Sequence, residues 1–93
     1  MDHVRNQKFQ YTYLIRSLKS GKWYVGKTLD LRKRFLEHQR NRSTYTKGRG
    51  PFELIYYEAC LDRLDSEARE KYFKSGMGRR FLKNRLKRFL FLT

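Results

Sequence analysis

Tyrosine, arginine and histidine side chains carry the chemistry this chain can offer. Tyr11-Thr12-Tyr13 and Tyr24-Val25-Gly26-Lys27-Thr28 set phenol hydroxyls on two short aromatic stretches, and Arg34 and His38 follow, four residues apart. A phenol or an imidazole can exchange a proton, and a guanidinium holds an oxyanion through a planar fork of donors. A spacing of four on a helix puts Arg34 and His38 on one face, aimed at one place. The common alternatives are missing. No G-x-x-x-x-G-K-[ST] run cradles a phosphate, no His/Cys cluster has zinc spacing, and no Ser/His/Asp set stands out. His3 and His38 are the two histidines, and Cys60 is the one cysteine, which reads as a small buried residue after a strand.

Charge narrows the partners. The 93 residues hold 23 Lys/Arg against 9 Asp/Glu, a net charge of +14. That balance calls for a polyanion: DNA, RNA or, as a weaker fit, an anionic membrane surface. The charge is segregated. Residues 16–49 carry eleven Lys/Arg against Asp30 and Glu37, net +9, and residues 71–93 carry eight Lys/Arg and no acid. Between them, residues 52–70 carry six of the nine acids, net −4. Hydrophobic residues make up 39% and aromatics 16%, which suits one folded domain spanning residues 1–93 and not a disordered basic tail. No apolar run is long enough to span a bilayer, Met1–Arg5 lacks the apolar stretch of a signal peptide, and one cysteine suits a reducing intracellular compartment.

The elements that must position these groups follow from patterning. Residues 9–17, aromatic and β-branched, read as a strand; Ser20-Gly21 supplies a turn, and residues 22–26 resume as a second strand of a hairpin. Asp30 caps a helix running to about Asn41, with Leu31, Phe35 and Leu36 on its apolar side. Residues 41–50 are a polar loop without an apolar anchor, closed by Pro51. Residues 52–59 form a third strand. Asp65 or Ser66 caps a second helix over residues 67–75, Gly76-Met77-Gly78 interrupts it, and a third helix follows with Phe81, Leu82, Leu86, Phe89 and Leu90 as one stripe. The order β-β-α-β-α-α with a leading hairpin predicts an α+β fold: a small, largely antiparallel three-stranded sheet flanked by helices.

The ordered set of motifs resembles the GIY-YIG nuclease superfamily, in its small single-domain bacterial form. Tyr13 falls where the first motif has its tyrosine, and Tyr24-Val25-Gly26 is the second motif. Arg34, eight residues after Gly26, matches the family's helical arginine, and His38 its frequent His/Tyr position. Arg69-Glu70-Lys71 matches the motif that holds a single metal-binding glutamate, and Asn84 lies at the rough spacing of a late asparagine. The resemblance covers roughly residues 9–90. It departs at Tyr11-Thr12, which replace the Gly-Ile of the first motif.

The resemblance implies a metal-dependent DNA endonuclease, with Tyr13, Tyr24, Arg34 and His38 catalytic and Glu70 holding Mg²⁺ or Mn²⁺. Gly26, Lys27 and Lys47 are then the phosphate and DNA contacts. Phosphodiester hydrolysis needs an activated water, a held phosphoryl group and help for the leaving oxygen. A hydrated Mg²⁺ takes one or two carboxylates, so one glutamate suffices. Nearby Lys27, Arg34 and the metal would favour a phenolate, so Tyr13 or Tyr24 is expected to have a lowered pKa and to accept the proton. The implied partner is DNA, structured or damaged as readily as of fixed sequence, with a partner protein for targeting, in a bacterial cytoplasm and without a membrane. The protein is expected to be a monomer or a weak homodimer. A non-catalytic basic nucleic-acid-binding module is the rival reading, and Glu70 separates the two, because a pure binder gains nothing from an acid facing phosphate. A basic structural or ribosome-associated role would explain the charge but not the motif order.

The charge pattern yields a measurable expectation. With about five phosphates contacted, log K for DNA binding falls against log salt with a slope of about −4 to −5. A slope near zero in a salt titration removes the polyanion reading.

Overall fold

The computed structural model describes residues 8–93; residues 1–7, among them His3, lie outside the described residues. β1 (Gln10–Ser17) and β2 (Trp23–Thr28) form an antiparallel hairpin. Its turn needs Gly21, whose φ of 77° lies in the left-handed region that a side chain disfavours. β2 runs two residues past the expected end because Lys27 and Thr28 still pair with Thr12 and Tyr11. β3 (Phe52–Cys60) pairs with the other edge of β1, giving the order β2-β1-β3, antiparallel throughout. Leu14 faces Tyr56 and Ile15 faces Leu54, so Ile55 is bulged out of register.

β1 is the centre of three layers. Tyr13 and Ile15 pack with Phe52, Phe35 and Leu31 on the face covered by α1 (Leu31–Gln39). Leu14 and Val25 pack with Phe73 and Leu82 on the face covered by α2 (Arg63–Lys74) and α3 (Gly76–Arg85). The expected α+β fold is therefore present, with one change of detail. The third helix breaks at Leu86, which turns inward to the core, and α4 (Lys87–Leu92) continues as a short separate helix.

Caps set where the helices begin. Asp30 accepts the Lys33 N–H at 3.0 Å, as the sequence predicts. α2 begins at Arg63, four residues before the expected start, because Asp62 is its cap and accepts the Leu64 N–H at 2.7 Å. Ser66 is instead buried inside the fold, where Thr12 Oγ1 lies 3.1 Å from Ser66 Oγ and donates to the Ser66 carbonyl at 3.2 Å. Arg69 adds a second fastening. It holds both Glu58 oxygens at 2.9 Å, and its guanidinium lies 4.7 Å from the Phe73 ring centroid. Ser75 ends α2 and caps α3, accepting the Gly78 N–H at 3.1 Å. The glycines that interrupt the pattern thus begin α3, and Gly78 has a packing reason: a Cβ there would run into the Tyr72 carbonyl and lie 2.8 Å from Phe73 Cα.

Gly78→Ala is expected to lower stability by about 1–3 kcal/mol, since backbone and not a flexible side chain blocks the added methyl. Gly76→Ala, with open space around the same addition, should be near neutral. Urea denaturation of the pair checks the contrast.

Candidate active site

The site begins with a missing side chain. Tyr13 and Gly26 are cross-strand partners, and the Tyr13 ring lies across the bare backbone of Gly26. A Cβ at Gly26 would come within 2.5 Å of Tyr13 Cζ. The glycine of the second motif therefore makes room for the tyrosine of the first, which is a reason different from a phosphate approach. Tyr13 is 3% exposed, and its hydroxyl is 2.7 Å from His38 Nε2.

α1 supplies the next groups. His38 reaches the Tyr13 hydroxyl, and the charge of Arg34, one turn earlier on the same helix face, is felt there. The Arg34 fork is held by Glu37 at 2.9 Å and by Ser43 at 3.1 Å. Burial pulls its pKa down, but the bonds to Glu37 and Tyr13 outweigh that, and the guanidinium stays above its usual value. His38 is 1% exposed, and its Nδ1 is 2.6 Å from Thr46 Oγ1. Burial first, then the Arg34 charge, lowers the His38 pKa to about 4, so the imidazole is neutral at physiological pH. Among the protein's own groups, the balance at Tyr13 runs upward. Burial raises its pKa, the hydrogen bond and charge of Arg34 pull the other way, and Glu70 adds to the rise. The expected lowering by cationic neighbours loses to desolvation. The resting site is a neutral phenol bonded to a neutral imidazole.

The loop at residues 40–51 is anchored, contrary to its polar composition. Ser43 and Thr46 are buried by their bonds to Arg34 and His38. Gln39 clamps Phe52 at both backbone atoms, accepting its N–H at 2.7 Å and donating to its carbonyl at 3.0 Å. Tyr45 sits edge-on to Tyr24, with ring centroids 5.4 Å apart. Sequence reading missed Ser43, Tyr45 and Thr46. The signal available was one aromatic and several hydroxyls in a stretch otherwise lacking apolar residues.

Tyr24 is half-buried, packed on Tyr45 and Phe52, and its hydroxyl makes no hydrogen bond among the described residues. β2 is an edge strand, and the end of α2 reaches around it. The Lys74 ammonium is 5.8 Å from the Tyr45 ring centroid and 3.4 Å from Glu70 Oε2. Glu70 thus joins the tyrosine side of the sheet, and its charge is felt at Tyr13. Lys27 stands at the rim, 3.6 Å from Glu67. Lys47 is exposed on the loop and makes no ion pair among the described residues. Asn84 lies on α3 beside Tyr72 and Arg80, outside this cluster. Cys60 is half-buried at the end of β3, not fully buried as expected.

The donor set fits a hydrated divalent ion. No group of three His, Cys, Asp or Glu gathers among the described residues. Glu58 is committed to Arg69, and Glu67 to Arg63 and Lys27. That leaves Glu70, whose one partner is a flexible lysine, and one carboxylate with water is an ordinary Mg²⁺ shell.

A hairpin that sets two tyrosines and a glycine against an arginine of the next helix, with a glutamate from the helix after the third strand, defines a GIY-YIG-type catalytic domain. The chain belongs to that family: the model described as the GIY-YIG catalytic domain matches residues 9–87. Its relatives are small bacterial proteins. UPF0213 protein CPE1444 of Clostridium perfringens is 35% identical over 65 residues, 69% of either chain. UPF0213 protein YazA of Bacillus subtilis is 40% identical over 57 residues, 60% of this chain and 58% of that one. UPF0213 protein OB0043 of Oceanobacillus iheyensis is 32% identical over 80 residues, 85% and 90% of the two chains. The solution NMR structure of the UPF0213 protein BH0048 from Bacillus halodurans superposes with a TM-score of 0.52 at 29% identity, covering 82% of this chain and 83% of that one.

Burial of neutral His38 makes stability depend on pH. Its pKa is about 4 folded and 6.5 when exposed, so the folded state binds fewer protons. The contribution is complete above pH 6.5 and is lost as pH falls through that value toward 4, up to about 3 kcal/mol. Urea midpoints between pH 7 and 5 should fall for the wild type and stay flatter for His38→Gln.

Proposed function

We propose that this chain is a metal-dependent endonuclease that hydrolyses phosphodiester bonds in DNA. The observation that carries the reading is the buried Tyr13–His38 hydrogen bond, at a hydroxyl that feels the charges of Arg34 and Glu70. Arg34 has five N–H donors, and Glu37, Ser43 and Tyr13 leave part of its fork for a phosphate oxygen. Tyr13, a neutral phenol at rest, relays a proton: as it takes one from the attacking water, its own passes to His38 Nε2, 2.7 Å away. His38 starts in its Nδ1–H tautomer, donating to Thr46 Oγ1, and the Arg34 charge stabilises the phenolate character that develops on Tyr13. Tyr24, with its hydroxyl uncommitted, orients water or phosphate. Glu70 would hold Mg²⁺ or Mn²⁺, which supplies positive charge against the phosphate and nearby oxygens. Lys27 and Lys47 line the approach of the DNA strand, while Gly26, covered by the Tyr13 ring, acts through the tyrosine it admits.

No helix among the described residues is long and apolar enough to cross a membrane. The bacterial relatives favour a bacterial cytoplasm. Target choice would rest on DNA structure, on damage or on a partner protein, and we take the working form to be a monomer or weak homodimer.

Glu70→Gln tests the reading against a non-catalytic binder. In a nuclease, the variant loses metal-dependent cleavage of supercoiled or branched DNA, while metal-free affinity stays equal or tightens. In a binder, affinity tightens and neither protein cuts. Equal cleavage by both proteins would move the metal assignment to Glu67 or Glu58. A surface Glu→Gln change costs about 0.5 kcal/mol or less, so the fold survives.

A further inference from the structure

α4, with the apolar run Phe89-Leu90-Phe91-Leu92, borders a second charged feature outside the catalytic cluster. β2 starts at Trp23, which packs on the Leu14 face of the sheet, opposite the Tyr13 face. Beside it opens a depression of about 730 Å³, lined by Lys22, Trp23, Arg79, Lys83, Lys87 and Phe91, among others. Arg79, Lys83 and Lys87 recur every fourth residue along α3 into α4, and Lys22 comes from the hairpin turn. The Arg79 guanidinium is 5.2 Å from the Trp23 ring centroid.

No acid lines this depression, and among the described residues none of its four cations is paired with a carboxylate. Like charges four apart on a helix repel one another, so the arrangement works against the isolated helix. It suits a ligand with regularly spaced negative charges. Phe91, 87% exposed at the same rim, adds a bare aromatic face. Cations tracking a backbone with an aromatic ring beside them form a platform for unpaired nucleotides, because a base in a duplex has no free face to offer. A flat anionic bilayer fits a concave depression poorly.

We propose that this depression binds a single-stranded nucleic-acid segment, its phosphates along Lys22, Arg79, Lys83 and Lys87 and a base on Phe91. The site is separate from the catalytic cluster and does not rest on nuclease activity.

Trp23 is the chain's one tryptophan, so its emission reports on this depression directly. The experiment titrates a short oligothymidylate into the full chain in EDTA, with a duplex of equal length and anionic vesicles as comparison arms. The wild type should bind the single strand with a change in Trp23 emission. Lys83→Glu/Lys87→Glu should weaken that binding by at least about tenfold. Phe91→Ala should weaken single-strand binding by about five- to tenfold and leave duplex binding unchanged. All three side chains are exposed, and thermal melts confirm that the variants fold. An unchanged Trp23 signal at saturation, wild-type affinity in the charge-reversed variant, or equal effects of Phe91→Ala on both nucleic acids would overturn the proposal. So would a Phe91-dependent response to vesicles alone. Because no metal is present, these outcomes are independent of whether the protein cuts DNA.

Discussion

The Tyr13 ring packed on the bare backbone of Gly26 is the constraint from which the rest of the site follows. With no Cβ beneath it, the ring lies flat against its cross-strand partner and carries its hydroxyl to α1. There the hydroxyl is out of water and needs a partner, because a buried polar group without one is costly. His38 is that partner, and its own burial makes the neutral imidazole the resting form. The second ring nitrogen then demands Thr46, which fixes the loop that places Ser43 on Arg34 and Tyr45 on Tyr24. One glycine thus organises groups from β1, β2, α1 and the 40–51 loop.

The second half of the site depends on how α2 is fastened. Thr12 ties β1 to Ser66, and Arg69 grips Glu58 of β3 beneath Tyr72, Phe73 and Phe81. These anchors hold α2 across the sheet so that its end passes the edge strand β2 and delivers Glu70 and Lys74. Thr12 belongs to the pair that replaces Gly-Ile in the first motif. Its hydroxyl gives that departure a structural use, since it meets the buried Ser66 hydroxyl that would otherwise lack a side-chain partner.

The same fastenings explain why a protein of +14 keeps its acids together. All five glutamates are in ion pairs: Glu37 with Arg34, Glu53 with Arg16, Glu58 with Arg69, Glu67 with Lys27 and Arg63, and Glu70 with Lys74. Asp30 and Asp62 cap helices. Of the acids of residues 52–70, Glu58 and Glu67 bind α2 to the sheet, Asp62 caps it, Glu70 pairs within it and Glu53 ties β3 to β1, and a large surplus of Lys and Arg remains.

The hairpin, the three strands, the Asp30 cap and the family motifs were all legible from the chain, because each rests on local physics: alternation, turn residues, capping and the four-residue helical spacing. Arg34 and His38 meet Tyr13 for that reason. What escaped the reading depends on contacts distant in sequence. The start of α2 at Asp62 was hidden because Ser66, also a good cap, is claimed by Thr12 across 54 residues. The loop looked unanchored because its anchors are hydroxyls that find Arg34 and His38 only after folding. The helix break at Leu86 follows from where the core lies, not from any breaker in the chain. The residue types able to do chemistry, and the sign of the ligand they await, belong to the sequence alone. Their protonation was decided by tertiary structure, because desolvation depends on what covers a group, and here it outweighs the cations that composition places nearby.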